Sequence, residues 1–150
     1  MPGRWFEEFA VGQRFDHAQR VTVTQADNAA FCRLTRNTQP LHLDEAYART
    51  TPFGGIIVNG LLTFSLAVGV SVEETTAGTL VANLGYEDVK HANPVIPGDT
   101  LRFVTDVVAV RPSQKPGRGV VTLRHTAFNQ KGEEVCGFNR IVMVQTRPTP

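Results

Sequence analysis

The feature that most constrains the fold is an apolar stretch, Ile56 to Val72. Leu61, Leu62, Phe64, Leu66, Val68, Val70 and Val72 are interleaved there with Gly60, Ser65, Ala67, Gly69 and Ser71. The stretch is shorter and more interrupted than the roughly 20 residues a bilayer span requires. A helix that is apolar all round is expected to be buried all round. Residues 59–74 therefore read as the central helix of a globular domain, its small residues letting a sheet approach closely. A composition of 41% hydrophobic and 19% charged in 150 residues suits one domain of ordinary size, residues 1–150.

The rest of the chain divides into a mostly helical first half and a mostly extended second half. Val21 and Val23 alternate in a short strand over 20–24. Thr24 then reads as an N-cap, with Asp27 completing an acidic capping box. Ala29, Ala30, Phe31 and Leu34 follow at helical spacing, which predicts a helix over 25–34. Residues 36–41 have loop chemistry, 44–49 a second short helix, and 50–55 a loop with Pro52, Gly54 and Gly55. Beyond the central helix, strands are predicted over 79–90, 100–111, 120–129 and 134–145. The last three, joined by short turns, should form an antiparallel meander. This order predicts an α+β fold, a long curved antiparallel sheet wrapped around a buried central helix.

Several function classes are disfavoured. A net charge of +1 leaves no electrostatic footprint for nucleic acid. Residues 1–9 lack the apolar run of a secretory signal, no membrane span is expected, and residence in the cytoplasm follows by default. Cys32 and Cys136 lie far apart with no metal-ligand spacing and read as small buried side chains. No histidine pair has metal-ligand spacing either, so neither metal nor cofactor is expected. Lys115, Arg118 and Lys131 fall near turns, where each is a solvated surface residue or a contact for a ligand phosphate.

Of four histidines, three read as structural. His125 shares a strand face with Val121, Leu123 and Ala127, His91 sits at a strand end beside a turn, and His17 has no evident partner. His42 differs because a helix, a polar loop and Pro40 lead into it, with Gly54, Gly55 and Gly60 downstream. An imidazole exchanges protons near neutral pH. A glycine N–H at a helix N-terminus stabilises negative charge on a carbonyl oxygen. Reversible hydration of an α,β-unsaturated thioester needs both parts.

The segment from Thr35 to Asp44, then Phe53-Gly54-Gly55-Ile56-Ile57-Val58-Asn59-Gly60-Leu61-Leu62, resembles the signature of MaoC-like dehydratases and (R)-specific enoyl-CoA hydratases. Pro94-Val95-Ile96-Pro97-Gly98-Asp99-Thr100-Leu101 is similar to a third motif of that family. The resemblance implies a hot-dog fold, a homodimer, and action on acyl-CoA or carrier-protein thioesters. It places His42 at the catalytic histidine and Gly60 at the glycine whose N–H binds the thioester oxygen. Asn37 stands where the family has a catalytic aspartate, Gln39 where it has a loop asparagine, and Asn59 where a histidine usually precedes the glycine. Gly55 and Arg36 complete the candidate substrate contacts, Arg36 replacing a usual glycine.

Asn37 accepts and donates hydrogen bonds but takes no proton in a useful pH range. Either His42 is then the sole acid/base, with Asn37 orienting the water and Asp44 or Glu87 in reserve, or hydration is lost and the domain binds acyl thioesters. The Asn-Thr-Gln-Pro-Leu-His form is also similar to a branch acting on short branched dicarboxylyl-CoA esters, such as mesaconyl-CoA. A substrate carboxylate would repel an aspartate at position 37 and pair with Arg36. A hot-dog thioesterase is the competing enzyme class, with Glu73, Glu74 or Glu87 as the carboxylate that activates water.

Overall fold

A computed structural model describes residues 3–150; Met1 and Pro2, the start of the segment read as lacking a secretory signal, lie outside it. A 3-10 turn, Phe6–Glu8, precedes strands β1 (Arg14–Asp16) and β2 (Val21–Thr22). Helices α1 (Gln25–Thr35), α2 (Pro40–Leu43), α3 (Glu45–Arg49) and α4 (Gly60–Thr75) follow. Strands β3 (Leu80–Lys90), β4 (Thr100–Pro112), β5 (Arg118–Phe128) and β6 (Glu134–Gln145) complete the chain.

The capping box forms as expected: Asp27 N–H donates to Thr24 Oγ1 and Thr24 N–H to Asp27 Oδ2, each at 3.0 Å. Helix α1 stops at Arg36, which takes a left-handed conformation at φ 62°. That conformation is easiest for glycine and explains why the related motif carries glycine there. Loop chemistry was expected through Leu41, but Pro40 opens a helical turn instead, its fixed φ suiting the first helical position.

Strands β4, β5 and β6 form the expected meander within the order β1-β4-β5-β6-β3. Strand β3, first of the long strands in sequence, lies beyond β6 rather than beside β4. Three register shifts bend it along that edge. The inner face of the sheet carries two apolar clusters. Phe103, Ala127 and Phe138 pack beneath α4, and Val107, Leu123 and Val142 beneath Phe6, Phe9 and Phe15. Burying a side chain such as Leu123 or Phe138 is worth about 1.5–3 kcal/mol.

Helix α4 departs from the expectation of burial all round. Thr63, Ala67, Ser71 and Thr75 form its buried stripe. Their i,i+4 spacing and small size bring the helix close to the sheet. Leu61, Ser65 and Gly69 form an opposite ridge that this chain leaves exposed, Leu61 at 56%. One sheet covers one face of a helix, so the second apolar face has no cover among the described residues.

Between the two clusters runs a polar chain. His17 Nδ1 contacts the Glu74 carboxylate, His17 Nε2 lies 2.8 Å from Thr105 Oγ1, and Thr105 Oγ1 lies 2.9 Å from His125 Nδ1. His17, Thr105 and His125 are all fully buried. His17 therefore has partners that the sequence did not show, and His125 is wholly rather than partly buried. The donor inventory fixes the protons for neutral rings. Glu74 only accepts, so His17 Nδ1 donates to it, Thr105 O–H donates to His17 Nε2, and His125 Nδ1–H donates to Thr105. His125 Nε2 is left without a partner.

Burial, then the Arg140 charge, depresses the His125 pKa from 6.5 to about 3. Burial likewise pushes the Cys136 thiol up to about 11, which keeps it protonated and unreactive. A base depressed in the folded state binds its proton more readily when unfolded. Its contribution to stability is present above pH 6.5 and is lost as pH falls toward 3. We expect His125→Gln to flatten the acid limb of stability between those values by up to one proton, read by urea melts across the range. An unchanged limb contradicts the assignment.

Candidate active site

The site is built by three segments that converge at the N-terminus of α4. The first is the turn after α1. Asn37 N–H donates to Cys32 O at 2.9 Å, and the Asn37 side-chain oxygen accepts from Gln39 N–H at 3.0 Å. Pro40 then starts α2 and delivers His42 half-buried. The second segment is the lead into α4, residues 56–59. The third follows β3: Val58 N–H donates to Val95 O at 2.8 Å, and the Asn93 amide donates to Glu134 O at 2.8 Å.

His42 Nδ1 lies 2.8 Å from Ile57 O. A carbonyl only accepts, so Nδ1 carries the proton and the neutral ring keeps a lone pair on Nε2. The ring lines a cavity of about 390 Å³ together with Asn59, Gly60, Thr63 and His91. Asn59 caps α4 by accepting from Leu61 N–H at 3.0 Å, and Asn59 O accepts from Leu62 N–H at 3.0 Å. The Gly60 N–H has no acceptor among the described residues. The cavity thus holds a ring nitrogen that can accept a proton and a free backbone donor at the positive end of a helix.

A buried residue that the sequence did not single out joins these parts. Asn28, on the inner face of α1, is fully buried. Its amide group donates to His42 O at 3.0 Å, where Gln25 Nε2 also donates at 3.0 Å. Its oxygen accepts from Asn59 N–H at 2.9 Å. One side chain therefore ties the histidine segment to the cap of α4. A polar residue in helical register with Phe31 and Cys32 was its only signal in the sequence.

Of the expected site residues, His42, Asn59 and Gly60 come together. Asn37 does not line the cavity, and its oxygen is occupied by Gln39. Arg36 and Gln39 are exposed in the same loop. Gly55 lines a separate hollow beside Glu45 and Pro94. Asp44 caps α3 by accepting from Tyr47 N–H at 3.1 Å, and Glu87 is exposed on β3. His91 lines the cavity, although its sequence context suggested only a turn. Lys115 and Arg118 lie by the β4–β5 turn and Lys131 by the β5–β6 turn, at opposite ends of the sheet, and none lines the cavity. Among the described residues, no three His, Cys, Asp or Glu side chains gather as metal ligands.

A long helix on a curved antiparallel sheet, with a histidine and the N-terminus of that helix sharing one cavity, is the arrangement of a hot-dog domain. The chain belongs to the MaoC-like domain family, whose model matches residues 7–129. It is 34% identical over 147 residues to a mesaconyl-CoA hydratase of Cereibacter sphaeroides, covering 98% of this chain and 43% of the relative. It spans less than half of that relative's length. It is also 34% identical over 126 residues to the (R)-specific enoyl-CoA hydratase of Aeromonas caviae, covering 84% of this chain and 88% of that one. A Mycobacterium tuberculosis protein with a double hot-dog fold superposes with a TM-score of 0.86 at 30% identity, over 99% of this chain and 46% of the other.

Removing the Asn28 amide leaves the Asn59 N–H without its acceptor in a buried setting. Asn28→Ala is expected to cost about 1–3 kcal/mol of unfolding free energy, with an unchanged urea m-value. A loss below about 0.5 kcal/mol contradicts the tie.

Proposed function

We propose that this chain, acting as one MaoC-like domain over residues 1–150, adds water reversibly to an α,β-unsaturated acyl-CoA thioester. The observation that carries the reading is the pairing, in one cavity, of His42, whose Nδ1 is engaged by Ile57 O, with a Gly60 N–H that has no acceptor among the described residues. The thioester oxygen accepts from Gly60 N–H. His42 Nε2 takes a proton from water as the water oxygen bonds to Cβ, and charge moves to the enolate oxygen. The imidazolium then returns the proton to Cα, and the carbonyl re-forms. Dehydration runs the same steps backward. His42 carries the proton chemistry alone, and Asn37, which accepts from Gln39 N–H and whose NH2 group has no partner among the described residues, shapes the loop that presents it.

The favoured acyl group is short and bears a second carboxylate. Two observations support this: asparagine replaces the usual aspartate at position 37, and the similarity to a mesaconyl-CoA hydratase runs the length of this chain. Arg36, exposed and held at φ 62°, is the cation we assign to that carboxylate, with Gln39 and Gly55 shaping the approach.

Two copies complete the domain. Edge strand β3 exposes Leu80, Val81, Leu84, Tyr86 and Val89, and α4 exposes the Leu61 ridge. A long apolar edge of this kind pairs with another chain or aggregates. A second copy of β3 covers both the edge and, beside it, the bare face of α4. Leu84→Asp is expected to shift the protein from dimer to monomer in sedimentation velocity, and a dimer of unchanged strength contradicts the interface.

The activity test follows loss of enoyl-thioester absorbance with crotonyl, mesaconyl and itaconyl esters of CoA. His42→Ala should lower turnover about a hundredfold or more, the usual scale of general acid–base catalysis. Turnover within about threefold of wild type contradicts the role. Release of free thiol instead identifies a thioesterase, and binding with neither reaction identifies a non-catalytic acyl-binding module.

A further inference from the structure

We infer that Gln25 is a positioning residue for His42, clamping its carbonyl so that the ring keeps its place relative to the Gly60 N–H; this rests on the hydratase reading above. Gln25 is the first residue of α1, and the Thr24–Asp27 capping box fixes the turn from which it projects. His42 belongs to α2, a single turn too short to satisfy its own carbonyls. The His42 carbonyl takes two donors from α1, Gln25 Nε2 at 3.0 Å and Asn28 Nδ2 at 3.0 Å. Asn28 Nδ2 also lies 3.2 Å from Gln25 Oε1.

One backbone group fixes the orientation of both amides. Asn59 N–H only donates, so Asn28 turns its oxygen to it, at 2.9 Å, and its NH2 group toward His42 O and Gln25. Gln25 must then offer its oxygen to Asn28 and its NH2 group to His42 O. The rest of His42 is held as well. Its N–H donates to Gln39 O at 3.1 Å, and Nδ1 lies 2.8 Å from Ile57 O. Nε2 is then the one polar atom of His42 with no partner among the described residues.

A carbonyl held by one donor can pivot about that bond, and a second donor removes the pivot. In the proposed reaction Nε2 must meet the water while the thioester oxygen stays on the Gly60 N–H. Asn37 is engaged within its own loop and cannot make good an ill-placed ring. A misplacement of about 1 Å can cost about 10²-fold in rate. Gln25 differs from Asn28 in what its loss leaves behind. It is half-buried, and without it the His42 carbonyl keeps the Asn28 donor, so no buried atom is orphaned. Its effect therefore falls on the rate rather than on stability.

The test uses Gln25→Met, which keeps the length and removes the amide, and Gln25→Glu, which keeps an acceptor for Asn28 but no donor for His42. We expect kcat to fall about tenfold in both, with KM within about twofold of wild type and the urea midpoint unchanged. The pH profile of Gln25→Met should keep its acid limb. In a His42→Ala background Gln25→Met should add no further loss, because residues that act as a unit are not additive. The second readout is solvent exchange of the His42 Nδ1 proton, followed by NMR without substrate, which should quicken in both variants.

A Gln25→Met enzyme within about twofold of wild-type kcat overturns the assignment. An equal loss in the His42→Ala background, or a urea midpoint that falls along with kcat, marks a general structural role and overturns it too. If wild type hydrates no enoyl-CoA yet the ring proton exchanges faster in the variants, the hydratase reading fails and the clamp stands. If exchange is unchanged as well, both fall.

Discussion

The amide of Asn28 holds together the parts on which this molecule's chemistry depends. It is buried, and besides its contacts with Gln25 and Cys32 inside α1 it donates to His42 O and accepts from Asn59 N–H, so it joins three segments. An amide in that position is costly unless satisfied, and it is satisfied only when α1, the His42 turn and the cap of α4 are all in register. The same contacts that relieve the buried group therefore set the separation between the His42 ring and the Gly60 N–H. Stability and site geometry are here one requirement.

Helix α4 carries that requirement into the fold. Its buried stripe of Thr63, Ala67, Ser71 and Thr75 lets it lie close on the sheet, and its N-terminus opens into the cavity. Its last turn supplies Glu74 to the chain through His17, Thr105 and His125. Polar contacts thus anchor both ends of the helix, while apolar clusters fill the space between sheet and cover. The proposed chemistry sits at the end where backbone donors are free, as the helix dipole favours.

Much of this was legible in the sequence where the signal is local. The capping box at Thr24, the three-strand meander and the His42–Gly60 pairing each depend on residues close in the chain or on short motifs. Asn28 and His17 were not legible, because their roles depend on partners far along the chain: Asn59 for Asn28, Glu74 and Thr105 for His17. The placement of β3 beside β6 is likewise a matter of which edge remains free, and periodicity within a strand does not encode it. The apolar pattern of α4 gave the helix but not its burial, because among the described residues the sheet covers one face only and Leu61, Ser65 and Gly69 stay exposed.

Arg36 and Asn37 mark the departure from the usual motif, and both lie in the turn that delivers His42. In the proposed mechanism, proton chemistry then rests on the state of a single ring. The most direct measurement is a long-range proton–nitrogen correlation NMR spectrum of protein labelled with nitrogen-15 histidine, at a pH where His42 is neutral. The His42 signals are assigned by their loss in His42→Gln. The account predicts a proton on Nδ1 and an unprotonated Nε2. A proton on Nε2 would mean that the ring offers no base to the cavity, and it would contradict the mechanism.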